Sequence, residues 1–169
     1  RDASTTEETY MEVIRGKTAM LFEASTHSAA ALANAQPEQS EALRLFGDAL
    51  GIAFQLVDDL LDYRGDAASL GKNVGDDLAE GKPTLPLIVT MRDGTPEQAS
   101  LVRKAIQQGG SQDLEGIRAA VEAAGALDYT ANLAREYAAR AIDCLKALPD
   151  NEYRAALTEL AEFAVARTH

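Results

Sequence analysis

The stretch GIAFQLVDDLLDYRGDAASLGKNVGDDLAEGKPTLP, residues 51–86, decides how the chain is read. Three aspartates, Asp58, Asp59 and Asp62, interrupt an apolar helical run, and a loop with two lysines and two more aspartates follows. On a helix of about 100° per residue, with Gln55 at zero, Asp62 falls at about 340°, Asp58 at about 300° and Asp59 at about 40°. The four polar groups share one narrow arc, and Ala53, Phe54, Leu56, Val57, Leu60 and Leu61 fill most of the remainder. Such a helix is expected to be buried over more than half its girth, with the carboxylates facing a cavity.

A solvated polar stripe, the alternative, normally mixes signs, with Lys or Arg four residues from each acid. Here no cation occurs until Arg64. Adjacent carboxylates repel, and burial sharpens the repulsion. A bound cation removes it: magnesium takes one or two carboxylates together with water and phosphate oxygens. Asp58 and Asp62, one turn apart, have the reach for such a shell. Lys72 and Lys82 are the only cations between Arg64 and Arg92, and each follows a glycine. Glycine lets backbone approach a ligand closely, and lysine binds phosphate as a point charge; a surface loop of scattered charge is the competing reading. A P-loop is excluded, because five residues separate Gly75 from Gly81 and Pro83 stands where Ser or Thr is needed. An EF-hand fails because Leu60 takes the place of an oxygen ligand. Lys17 lies on a helical stripe with Ile14 and Leu21, so it either snorkels to the surface or meets an anion. His27 and His169 show no metal-ligand spacing.

Outward from this stretch, the periodicity predicts helices throughout. Thr5-x-x-Glu8 fits a capping box ahead of a helix to about Asn34, with Tyr10, Val13, Ile14, Lys17, Leu21 and Phe22 on one stripe. A second helix is expected from Pro37 to about Ala67, carrying Leu43, Phe46, Leu50, Phe54, Val57 and Leu61. TLPLIVTM, residues 84–91, reads as a short buried helix or a buried strand. Thr95-Pro96 opens a helix that stops at Gly109-Gly110, residues 112–124 form a short one, and 126–148 a longer one ending at Pro149. Asp150 is expected to cap a final helix. The whole reads as one all-α domain, a helical bundle. Its 169 residues suffice for a real core. A net charge of −11 with no basic stripe argues against nucleic acid. No apolar run reaches the 18 residues of a membrane span. The lone cysteine, Cys144, lies on an apolar helical stripe and is expected to be a core thiol.

Three ordered motifs carry a resemblance. FQLVDDLLD resembles the second aspartate-rich motif of trans-isoprenyl diphosphate synthases, the polyprenyl synthetase family. LGKNVGDDLAEGKPTLPLI is similar to that family's downstream Gly-Lys…Gly-Lys-x-Thr-Leu-Pro signature, and YMEVIRGKTAMLFEAS resembles its Lys-Thr helix. The wording is most like that of long-chain members that make quinone side chains. The resemblance implies an all-helical isoprenoid synthase bundle in which Mg2+ bridges aspartates to an allylic diphosphate. Ionisation of that diphosphate and attack by isopentenyl diphosphate would add each five-carbon unit. Carried over by position, Asp58, Asp59 and Asp62 are metal-linked, while Lys17, Thr18, Gln55 and Lys72 hold the allylic diphosphate with help from Lys82. Lys17, Asp58 and Asp59 are the implied catalytic residues. The family's first aspartate-rich motif, with its paired arginines, does not occur in this sequence. The chain, which begins at Arg1, is therefore expected to be the C-terminal half of a cytoplasmic, homodimeric synthase with at most peripheral membrane contact. It is expected to need the N-terminal half and to be inactive alone. A non-catalytic subunit of a heteromeric synthase is the alternative; decay of the aspartate motif would mark it, and the motif is intact. A helical terpene cyclase lacks the Gly-Lys loop.

Overall fold

The computed structural model describes residues 2–64, 75–109 and 113–166, and these are all-α, with no strand among them. The N-terminal helix runs as α1 (Glu7–Ile14), a π-helical segment (Arg15–Ala19) and α2 (Met20–Leu32). Its cap is Thr6, whose hydroxyl accepts the Thr9 backbone N–H at 3.2 Å. Thr5 instead turns its hydroxyl back to the Asp2 carbonyl at 2.8 Å, so the expected Thr5–Glu8 box does not form. The π turn also breaks the expected stripe. A π turn takes up one more residue than an α turn, so the inward face advances by one position beyond Ile14. Ala19, Phe22, Thr26 and Ala30 come round in place of Leu21, which is 74% exposed.

The remaining elements are α3 (Pro37–Arg64), α4 (Asp76–Ala79), α5 (Leu85–Asp93), α6 (Pro96–Gln108), α7 (Leu114–Ala123), α8 (Ala126–Cys144), a 3-10 turn (Leu145–Ala147) and α9 (Glu152–Ala166). They belong to two compact units: one of Arg1–Met11 with Asp58–Ala131, the other of Glu12–Val57 with Asn132–His169. Helix α3 contributes residues to both.

In the second unit, Phe46, Ala49 and Leu50 of α3 meet Ala141 of α8, Leu145 and Ala161 and Ala164 of α9, and Phe22 packs against the cluster. Burying one large apolar side chain such as Phe46 stabilises by about 1.5–3 kcal/mol. Small residues bring α2 close to α3. A Cβ on Gly51 would stand 2.6 Å from Ala19 Cα, and one on Gly47 would meet Thr26 Oγ1. The same close crossing lets the Thr26 hydroxyl donate to the Leu43 carbonyl at 2.6 Å. Cys144 is half-buried at the rim of this core, and desolvation lifts its thiol above the usual range.

In the first unit, α5, α6 and α7 pack pairwise on one another. The stretch 84–91, ambiguous in the sequence, is helical from Leu85 onward with Thr84 as its N-cap, Pro86 in the first turn and every residue from Leu85 to Thr90 buried. Thr95 and Gln98 close a reciprocal capping box on α6. Asp113 caps α7 by accepting from the Gly116 N–H at 3.0 Å. The expected cap at Asp150 is corrected to Asn151, whose Oδ1 accepts the Tyr153 and Arg154 N–H groups; Asp150 pairs with the Arg154 guanidinium instead. Among the described residues, no helix is long and apolar enough to cross a membrane.

Candidate functional site

The last two turns of α3 are buried almost all round. Leu56, Val57, Leu60 and Tyr63 are at most 1% exposed, and so is Asp62, while Asp59 is 3% exposed. Asp58 is half-buried and Phe54 turns outward at 40%. Beyond α3, Gly75 donates its N–H to the Asp62 carbonyl at 3.1 Å. Its φ of 86° is left-handed, and the Leu114 side chain lies 2.7 Å from where a Cβ would stand. This turn docks the single-turn helix α4 beside α3. As a result Asp77 joins Asp58 and Asp59, with one carboxylate oxygen of each within 4.8 Å of the others.

The end of α4 is a Schellman motif: the Gly81 N–H bonds the Leu78 carbonyl and the Lys82 N–H bonds the Asp77 carbonyl, with Gly81 at φ 73°. That closure returns Lys82 over its own helix, where Nζ lies 2.7 Å from both Asp77 Oδ1 and Glu80 Oε2. Hydrogen bonding to these two carboxylates raises the ammonium well above its ordinary range. On the other side, the buried Tyr10 hydroxyl donates to Asp59 Oδ2 at 2.5 Å. The Tyr63 and Thr84 hydroxyls are 3.2 Å apart. Burial, with the nearby aspartate charge, pushes both phenols upward, so both keep their proton at ordinary pH.

In the second unit the π segment presents the other group of expected residues. The Thr18 hydroxyl donates to Gln55 Oε1 at 2.9 Å. Lys17 is exposed, and no described carboxylate lies within ion-pair distance of it. Its neighbour Arg15 pairs with Asp48 at 3.2 Å. π turns recur at functional positions because the widened turn re-aims side chains.

The structure thus brings together Asp58 with Asp59, and Thr18 with Gln55. Asp62 is buried one turn further along α3 and is not a member of the three-carboxylate group. Lys82 meets Asp77 and Glu80, and Lys72 lies outside the described residues. Sequence reasoning missed two residues. Asp77 had a signal, an acidic pair directly after a glycine turn, but only the fold brings it to α3. Tyr10 was read as one more member of an apolar stripe, and its hydroxyl gives no pattern in sequence.

The donor set is all oxygen. Three carboxylates gathered at one point suit a hard divalent cation such as Mg2+ or Ca2+, which also relieves their mutual repulsion.

A family model described as Polyprenyl synthetase matches residues 1–124. Octaprenyl diphosphate synthase of Escherichia coli strain K12 is 53% identical over 167 residues, which cover 98% of this chain and 52% of that protein. The all-trans-nonaprenyl-diphosphate synthase (geranyl-diphosphate specific) of Rhodobacter capsulatus is 50% identical over 163 residues, covering 96% and 50%. Among solved structures, polyprenyl synthase from Caulobacter crescentus CB15, complexed with calcium and isoprenyl diphosphate, is similar with a TM-score of 0.92 and 42% identity, covering 99% of this chain and 52% of that one. The chain spans about half the length of the curated relatives it matches.

Proposed function

Because the chain belongs to the polyprenyl synthetase family, we propose that it carries the second-aspartate-motif side of a trans-polyprenyl diphosphate synthase. The reaction is addition of isopentenyl diphosphate to an allylic diphosphate. The observation that carries this reading is the meeting of Asp58 and Asp59 with Asp77 within 4.8 Å. The long-chain class is supported by the likeness to octaprenyl and nonaprenyl synthases. Calcium with isoprenyl diphosphate in the similar Caulobacter protein supports a divalent cation acting with a diphosphate.

In this reading Asp58, Asp59 and Asp77 hold Mg2+, with Asp62 behind them on the same helix. Mg2+ held by these carboxylates would stabilise the negative charge that develops on the departing diphosphate. Lys17, Thr18, Gln55 and Lys72 take the allylic diphosphate. The hydrogen bond from Thr18 to Gln55 fixes the rotamers of both before substrate arrives. Lys17 brings an exposed point charge from the π segment. Lys82 begins on Asp77 and Glu80 and assists once a more highly charged anion competes for its ammonium.

The sequence holds one Asp-Asp-x-x-Asp stretch, Asp58 to Asp62. The proposed partner is the N-terminal half of the same synthase, which supplies the facing motif, within a homodimer. Val13, Met20 and Leu21 stand more than half exposed, apolar area that further protein would cover. Cytoplasmic location with at most peripheral membrane contact completes the reading. The test is incubation of the complete synthase with Mg2+, labelled isopentenyl diphosphate and a geranyl or farnesyl primer. A ladder of extended prenyl diphosphates is expected, and none from these 169 residues alone. Absence of any product longer than the primer from the complete protein would sink the assignment.

A further inference from the structure

Tyr10 and Asp59 lie 49 residues apart in sequence, yet a buried side-chain hydrogen bond joins them, 2.5 Å from phenol oxygen to Asp59 Oδ2. Tyr10 is 5% exposed and Asp59 3%. Such a bond to a charged acceptor in a dry setting is stronger than an ordinary neutral one. Its geometric effect is specific. A carboxylate on the short aspartate stem turns about only two torsions, and a donor fixed to one oxygen settles both.

The donor is itself well anchored. Tyr10 closes the first turn of α1, its backbone N–H bonded to the Thr6 carbonyl at 2.9 Å. Glu7, in the same turn, accepts from Arg92 Nη1 at 2.6 Å and from the Tyr129 hydroxyl at 2.8 Å. Arg92 in turn stacks over the Tyr129 ring at 5.0 Å. The start of α1 is therefore tied to α5 and α8, and Tyr10 reaches Asp59 from a fixed support.

We propose that Tyr10 is a positioning residue for the metal site. By holding Asp59 Oδ2, it sets the plane in which the Asp59 carboxylate meets the cation shared with Asp58 and Asp77. This rests on the metal-binding reading of the preceding subsection. A partner that orients a ligating carboxylate is worth about 10–100-fold in metal affinity, and that is the effect assigned here.

The experiment measures Mn2+ affinity, with inorganic diphosphate present, by electron paramagnetic resonance on the complete synthase. Wild type is compared with Tyr10→Phe, Asp59→Asn and the double variant. Tyr10→Phe is expected to weaken Mn2+ by about 10–100-fold, and to add nothing once Asp59→Asn is present. Unchanged Mn2+ affinity in Tyr10→Phe, even with a lowered melting temperature, would reduce Tyr10 to a structural role and overturn the inference. Unchanged affinity in Asp59→Asn would instead overturn the metal-site reading itself. A second measurement needs no deletion of the bond: 3-fluorotyrosine at position 10, followed by 19F resonance. Its signal is expected to shift as Mg2+ and inorganic diphosphate are added, and a stationary signal contradicts the proposal.

Discussion

Thr18 and Gln55 show how a single hydrogen bond would prepare the proposed diphosphate-binding group. The Thr18 hydroxyl is held by Gln55 Oε1 at 2.9 Å, half-buried, on the one turn of its helix that is π rather than α. Thr18→Val keeps the shape and removes the donor. It is expected to cost about 1 kcal/mol of stability and to raise KM for the allylic diphosphate more than it lowers kcat, which steady-state kinetics on the complete synthase would separate. An unchanged KM would remove Thr18 from the proposed diphosphate site. Cys144 gives a residue-scale test of burial with a definite sign. Desolvation raises its thiol, so the reactive thiolate is scarce at pH 8 and grows as pH rises. Modification by a thiol reagent is expected to be slower than that of a free cysteine at pH 8. The rate should rise about tenfold per pH unit until the raised value is passed. A profile whose midpoint falls at the free-cysteine value of about 8.5 would show an exposed, ordinary thiol.

Between elements, close approach is set by glycines that the sequence shows but does not explain. Gly51 faces the Ala19 backbone, with only 2.6 Å between Ala19 Cα and the position a Cβ would take. Gly51→Ala would force α2 and α3 apart, since backbone rather than a flexible side chain stands in the way. A loss of about 1–3 kcal/mol is expected, read from urea denaturation, and weakened substrate binding should accompany it because Thr18 adjoins Ala19. Stability equal to wild type would show that the helices can move apart freely. The same elements mark the limit of what sequence could tell. Helix α3 was legible because an apolar run with a long period survives any local detail, and α6 because Thr95-Pro96 and Gly109 mark its two ends in the sequence itself. The π turn at Arg15–Ala19 was not legible, because no residue type demands it; one added residue per turn then sent Leu21 outward and brought Ala19 in beside the expected Phe22. Asn151 displaced Asp150 as a cap because two neighbouring residues of near-equal capping strength compete, and backbone geometry chooses between them. Asp58 and Asp59 were visible as a motif. Asp77 reached them only through the left-handed turn at Gly75 and the hydrogen bond from Gly75 to Asp62.

At the scale of the whole molecule, an acidic chain of net charge −11 is proposed to act on doubly anionic substrates, and a divalent cation reconciles the two. Activity of the complete synthase is therefore expected to vanish on chelation and return with Mg2+. It should return only weakly in Asp77→Asn, whose Mg2+ requirement should move upward by about tenfold or more. An Asp77→Asn enzyme with the wild-type Mg2+ dependence would leave Asp77 to Lys82 alone. The most direct test of the central claim is elongation of a farnesyl primer by the complete synthase carrying Asp58→Ala, with circular dichroism recorded on the same sample. Helicity at the wild-type level with no extended product is predicted; chain elongation at the wild-type rate would contradict the role given to the α3 aspartates.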